Sequence, residues 1–274
     1  MSFQYFYSQA IEEATNRFVK EQQKKNRPFY YAGGTEILTL RRLSIIHPKA
    51  VIDIKNIPAC NIYQLDDDYL ALGAALPLTE IEEKNLFPLL TDVSKEIADH
   101  TARNKITFGG NICGQIFYRE AILPLLLTDS LLVLAKDQMI RTELIHNVFD
   151  EQLLLDDGEL FIQAFIEKKY LAAPYVAIKK RQQWTVGYPL LSIAALKIES
   201  TIRVAISGLC SFPFRSLALE AALNDPAKSN EEKIKGAIAT ITEPILDDVE
   251  GSSEYRLFVL ENLLHEVLQQ LEEE

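Results

Sequence analysis

Of the eleven glycines in this 274-residue chain, Gly33, Gly34, Gly109, Gly110 and Gly114 fall in two short stretches. A paired glycine lets the backbone take positive φ and approach a ligand without a Cβ, and consecutive N–H groups in such a turn form a nest suited to an anion such as phosphate. Two nests could grip one pyrophosphate. Neither stretch has the G-x-G-x-x-G or G-x-x-x-x-G-K-[ST] spacing, so nucleotide binding by the dinucleotide-fold or P-loop route is disfavoured. Taken alone, Ala32-Gly33-Gly34-Thr35 fits a tight structural turn equally well.

Other chemistry is sparse. Cys60, Cys113 and Cys210 are widely separated and supply neither a disulfide framework nor a paired-cysteine metal signature. Any redox cofactor is therefore held by something other than thiolates, and the Cys113 side chain is expected to be a small buried residue. His47, His100, His146 and His265 lack the short spacing of a metal site and read as surface or packing residues. The formal charge of −11 repels nucleic acid and anionic membranes. With no apolar run approaching the ~20 residues of a membrane span, and no basic and apolar leader at the start, a cytoplasmic protein is expected.

Elements that could position the glycine stretches follow from hydrophobic spacing. Residues 9–24 read as a helix ended by Asn26-Arg27-Pro28, and residues 29–32 as a strand that runs into Gly33-Gly34-Thr35-Glu36. Strands are expected at 50–54, 69–74 and 131–134, and a helical pattern over 86–99 leads into the second stretch. Beyond Asp156-Asp157-Gly158 the texture turns to strand-like runs at 160–166, 175–179, 192–198 and 201–208. Helices close the chain at 216–223 and 254–271, the latter with a leucine stripe at helical spacing.

The order Ala32-Gly33-Gly34-Thr35-Glu36, then Gly73-Ala74-Ala75 with Thr79-Glu80-Ile81, then residues 103–113 around Thr107-Phe108-Gly109-Gly110-Asn111-Ile112, resembles the FAD-binding subunit of the xanthine dehydrogenase and carbon monoxide dehydrogenase family. It continues more faintly through 175–195, Gly208, Pro213 and Arg215, and into Ser253-Glu254-Tyr255-Arg256. The resemblance implies an α+β chain: a two-subdomain FAD-binding fold of the vanillyl-alcohol-oxidase type over 1–167, then a domain of a three-stranded sheet with helices over 168–274.

It further implies a non-covalently bound FAD. Tyr31, Ala32, Gly33, Gly34, Thr35, Glu36 and Ile37 would wrap the diphosphate, and Thr107, Gly109, Gly110, Asn111 and Ile112 would form a second wall. Glu120 stands where the family carries an aspartate that contacts FAD, and Phe161 and Lys179 fall near positions that close over the cofactor. An ordinary exposed acid also explains Glu120, and a solvated basic face with Lys180 and Arg181 also explains Lys179. The chain would pass electrons from the [2Fe-2S] centres of an iron-sulfur subunit, beside a molybdopterin-binding subunit, to NAD or another acceptor, with neither nucleic acid nor membrane as partner. No residue reads as an acid, base or nucleophile. A stand-alone FAD oxidoreductase and a scaffold subunit without FAD are the competing readings, the second motivated by the unusual 114–119 segment and by Gly187.

Overall fold

The computed structural model of the protein describes residues 3–181 and 188–272. They form two compact units, the first from Met1–Lys84, His100–Gly114 and Asp129–Lys168, the second from Asn85–Asp99, Gln115–Thr128 and Lys169–Glu274. The chain thus enters the second unit twice before it stays there.

In the first unit, β1 (Gln4–Tyr7), β2 (Pro28–Tyr31) and β3 (Ala50–Asp53) make a parallel sheet in the order β1-β3-β2. β3 lies between its neighbours, which is why all four of its residues are buried. Helix α1 (Ile11–Gln23) connects β1 to β2 and buries Ala14 and Phe18, the positions that its apolar spacing marks. Pro28 disfavours helical backbone at Arg27, so the chain leaves the helix and opens β2. Helix α2 (Thr35–Arg42) leads from β2 towards β3 and has no buried residue.

A second, antiparallel sheet runs in the order β4-β5-β10-β6-β7, from β4 (Tyr63–Leu65), β5 (Tyr69–Gly73), β6 (Leu131–Lys136), β7 (Met139–Leu144) and β10 (Leu160–Glu167). The short strands β8 (Phe149–Asp150) and β9 (Gln152–Leu153) pair with each other. Helices α3 (Leu78–Lys84), α5 (His100–Arg103), α6 (Phe108–Ile112) and α8 (Ile145–Val148) belong to this unit. One buried cluster joins both sheets: Ala14 and Phe18 meet Ile52, Cys60, Val133 and Ile162. Burial drives this assembly, at roughly 1.5–3 kcal/mol for each large apolar side chain.

The second unit holds an antiparallel sheet of β11 (Tyr175–Lys180), β12 (Leu191–Ile198), β13 (Thr201–Ser207) and the two-residue edge strand β14 (Phe214–Arg215). Three of its strands are long, as expected, and the fourth is too short to leave a periodic signal. Helices α4 (Pro88–Lys95), α7 (Leu123–Leu127), α9 (Leu217–Leu223), α10 (Asn230–Ala239) and α11 (Ser253–Glu272) accompany it. The leucine stripe of α11 is core: Leu260, Leu263, Leu264, Val267 and Leu271 pack against Ile193 and Val204 of the sheet. Among the described residues, no helix is long and apolar enough to cross a membrane.

Candidate functional site

Parallel strand β2 ends at Tyr31, and the chain turns through residues 32–34 into α2. Gly34 is the N-cap, with φ of 72°, a left-handed conformation that glycine adopts without the steric cost other residues meet. The first backbone bond of the helix runs from Leu38 N–H to the Gly34 carbonyl at 2.9 Å. The N–H groups of Thr35 and Ile37 precede that bond and have no acceptor within the helix. They lie where the helix dipole is positive, and the exposed Thr35 hydroxyl stands beside them.

The second glycine stretch is built differently. Residues 106–109 dock on residues 74–78: Leu78 N–H donates to Ile106, Phe108 N–H to Leu76 and Gly109 N–H to Ala74, at 2.8–2.9 Å. Thr107 caps α6 by accepting from Gly110 N–H at 3.2 Å, while Asn111 N–H donates to the Thr107 carbonyl at 2.8 Å. All four N–H groups from Phe108 to Asn111 therefore have protein acceptors, and the expectation of a second open nest is corrected. Of the five clustered glycines only Gly34 has positive φ. The others provide space. A Cβ on Gly33 would stand 1.6 Å from the Lys105 carbonyl oxygen, and one on Gly109 would stand 2.6 Å from the Ala74 Cβ. A Cβ on Gly114 would stand 3.0 Å from Glu36 Oε2. Glycine thus lets the stretches 32–36, 73–75 and 103–113 converge inside one unit.

Around this junction Thr107, Gly109 and Ile112 are buried, Asn111 is half-buried, and Gly110 is exposed. Ala32, Gly33, Gly34, Glu36 and Ile37 are half-buried. The half-buried Tyr31 lays its ring over Gly34, where a Cβ would come within 2.2 Å of it. Three further residues that sequence reasoning missed support the turn. Lys55 holds its ammonium 2.7 Å from Asp53 Oδ2, 3.4 Å from the Ala32 carbonyl and 4.7 Å from the Tyr31 ring centre. Asp53 is buried at the end of β3 and also accepts from the Tyr5 hydroxyl. Burial and the neighbouring Asp53 carboxylate push the Tyr5 phenol well above its ordinary range. The only sequence signal was Asp53-Ile54-Lys55 following a buried strand.

The remaining expected site residues are placed elsewhere. Phe161 lies in β10 of the first unit, 2% exposed, its ring centre 6.2 Å from that of Phe108. Glu120 and Lys179 belong to the second unit and neutralise each other: Lys179 Nζ lies 2.7 Å from Glu120 Oε1, with both side chains 6% exposed. Lys179 also donates to the Glu96 carbonyl at 2.7 Å, and Arg181 to the same oxygen at 2.9 Å. Neither an exposed acid nor a solvated basic face describes them. In the altered 114–119 segment, Tyr118 and Arg119 are buried, and Tyr118 stacks on Tyr188 with ring centres 5.1 Å apart. Gly187 lies outside the described residues. Cys113, expected to be buried, is exposed just beyond α6, whereas burial pushes the Cys60 and Cys210 thiols up to about 12. Among the described residues, no group of three or more metal-ligating side chains occurs.

A parallel strand thus runs into a left-handed glycine and a helix N-terminus, locked to a second glycine segment. Residues 1–166 match the family described as the FAD binding domain in molybdopterin dehydrogenase, and the chain belongs to that family of oxidoreductase flavoprotein components. It is 25% identical to the glyceraldehyde dehydrogenase medium chain of Sulfolobus acidocaldarius, over 95% of each chain. It is also 22% identical to the xanthine dehydrogenase FAD-binding subunit of Escherichia coli O157:H7, over 96% of this chain and 94% of that one. Its fold resembles a chain of carbon monoxide dehydrogenase from Hydrogenophaga pseudoflava with a TM-score of 0.88 at 21% identity, covering 99% of this chain and 97% of that one.

Proposed function

We propose that the first unit holds FAD without a covalent bond and that the chain serves as the electron-transfer subunit of a xanthine dehydrogenase-like complex in the cytoplasm. The observation that carries this reading is the turn at Gly34, where Thr35 and Ile37 direct unused N–H groups from the start of α2 at the junction of three glycine-containing segments. That donor set fits a diphosphate, because N–H dipoles and a hydroxyl stabilise negative charge without neutralising it by a fixed cation. Residues 32–37 bind the diphosphate, and Asn111 with Gly110 borders it from the second segment. Lys55 steadies the turn through the Ala32 carbonyl, while Asp53 keeps that ammonium in place.

When bound, the flavin accepts single electrons from an iron-sulfur centre and releases them as a pair. In this reading the centre is a [2Fe-2S] cluster on a partner subunit, substrate oxidation occurs on a molybdopterin-binding partner, and NAD or another carrier is the acceptor. Phe161 backs the second glycine segment through its ring contact with Phe108. Glu120 and Lys179, which the family resemblance assigns to the cofactor, are paired with each other inside the second unit and are given no part in this reading.

The test compares flavin content after purification. Gly34→Val demands a left-handed β-branched residue and displaces the Tyr31 ring, so flavin retention should fall by at least about tenfold, equivalent to ~1.4 kcal/mol of binding. Asn111→Ala should weaken retention with an unchanged circular dichroism spectrum. Full flavin content in both folded variants would refute the proposed site.

A further inference from the structure

Strand β7 is an edge of the five-stranded sheet and presents Met139, Ile140 and Leu144 to solvent at 72%, 56% and 45% exposure. Sheet edges with exposed apolar residues invite pairing, and proteins ordinarily blunt them. The free edge has a definite hydrogen-bonding phase. Lys136 pairs with Met139 across the two-residue loop Asp137-Gln138, and such a loop closes on a hydrogen-bonded pair. Alternation then makes Leu134 with Arg141, and Leu132 with Glu143, the next hydrogen-bonded pairs. Ile140, Thr142 and Leu144 consequently direct their N–H and C=O groups away from β6, to the open side.

Residues 140–144 read apolar, basic, threonine, acidic, apolar. This pattern is complementary to itself when reversed. An antiparallel copy centred on Thr142 sets Thr142 opposite its own counterpart, Arg141 opposite Glu143, and Ile140 opposite Leu144. Moving the centre to Arg141 opposes two arginines, and moving it to Glu143 opposes two glutamates. Of the outward-facing centres only Thr142 sets Arg141 opposite Glu143, and like charges directly opposite destabilise a pair. Ile140 and Leu144 share a sheet face with Val133 and Ala135, which belong to the buried cluster of this unit, so their cross-strand contact would extend that apolar surface. Arg141 is already oriented by Glu159, whose carboxylate it grips at 2.8 and 2.9 Å.

We propose that a second copy of this chain docks on β7, by antiparallel pairing about Thr142, to give a two-fold dimer with one continuous sheet. The interface is isologous, each copy presenting the same strand. It lies wholly in the first unit and does not depend on the cofactor reading.

Sedimentation velocity of the full chain over a concentration series should give a reversible monomer–dimer equilibrium. Thr142→Pro removes an outward N–H and no bond to β6, so it should leave a folded monomer. Glu143→Arg opposes Arg141 with a like charge and should weaken the dimer by about tenfold or more, which keeps the test decisive if the proline variant does not fold. For register, Thr142→Cys in a Cys113→Ser background should form a disulfide-linked dimer on mild oxidation. The ~5.5 Å Cα separation of a hydrogen-bonded pair is within disulfide reach. Ile140→Cys, opposite Leu144, should not. A chain that stays monomeric up to its solubility limit, a dimer indifferent to both Thr142→Pro and Glu143→Arg, or equal cross-linking through Ile140→Cys would overturn the proposal.

Discussion

At Gly33 and Gly34, neighbouring positions of one turn, glycine is needed for two different reasons. Gly34 supplies a left-handed backbone, whereas Gly33 admits the Lys105 carbonyl, which a Cβ would meet at 1.6 Å. Gly33→Ala should therefore lower the thermal stability of the first unit as well as its flavin content, since the two glycine segments must separate. Thiol chemistry divides as sharply. Cys113 should react with a thiol reagent in the native protein at neutral pH, while Cys60 and Cys210, buried and with thiols pushed up to about 12, should react only after unfolding. Labelling followed by peptide mass spectrometry reads all three. Much of the junction was legible in the sequence because glycine is scarce here and its clustering stands out. The Asp53-Lys55-Tyr5 support was not, because it depends on β1 and β2 both pairing with β3, a tertiary fact with no short-range pattern.

Among the elements, α11 shows how one residue can anchor several segments. Arg256 is fully buried in its first turns and donates to the carbonyls of Leu190 and Gly208 and to Asp248. Arg256→Ala leaves these acceptors buried or half-buried without their donor, and should cost about 3 kcal/mol in urea unfolding. A loss within experimental error would mean that the helix is held by its leucine face alone. That face was readable from spacing, as were α1, β3, β5 and β10–β13. The missed elements share a physical cause. β7 has an exposed residue at nearly every position, and α2 buries none, so neither carries an apolar periodicity. α10 is set by a capping box between Ser229 and Glu232, with only Ile234 and Ala237 buried. The 86–99 helical pattern, by contrast, carries its apolar face but stops at Lys95, and the chain turns at Ala98 with φ of 52°.

Across the whole molecule, acid acts on stability through paired carboxyls. Glu21 and Glu159 of the first unit have carboxyls held below the ordinary 4.5, Glu21 chiefly by the Lys24 hydrogen bond and Glu159 chiefly by that from Arg141. A carboxyl with a depressed folded pKa contributes stability that is complete above its unfolded value and is lost as pH falls through the folded one. Thermal unfolding should therefore be insensitive to these groups above about pH 5.5 and should weaken progressively below 4.5, and Glu159→Gln should flatten part of that acid limb. FAD, if bound only by the folded first unit, should raise that unit's unfolding temperature by mass action. The most direct measurement is the visible absorption spectrum of the purified chain before and after FAD is added, with any heat-released cofactor identified by chromatography. A flavin band that proves to be FAD, present at purification or gained on addition, is the predicted result. A folded chain that is colourless and takes up no FAD would contradict the account.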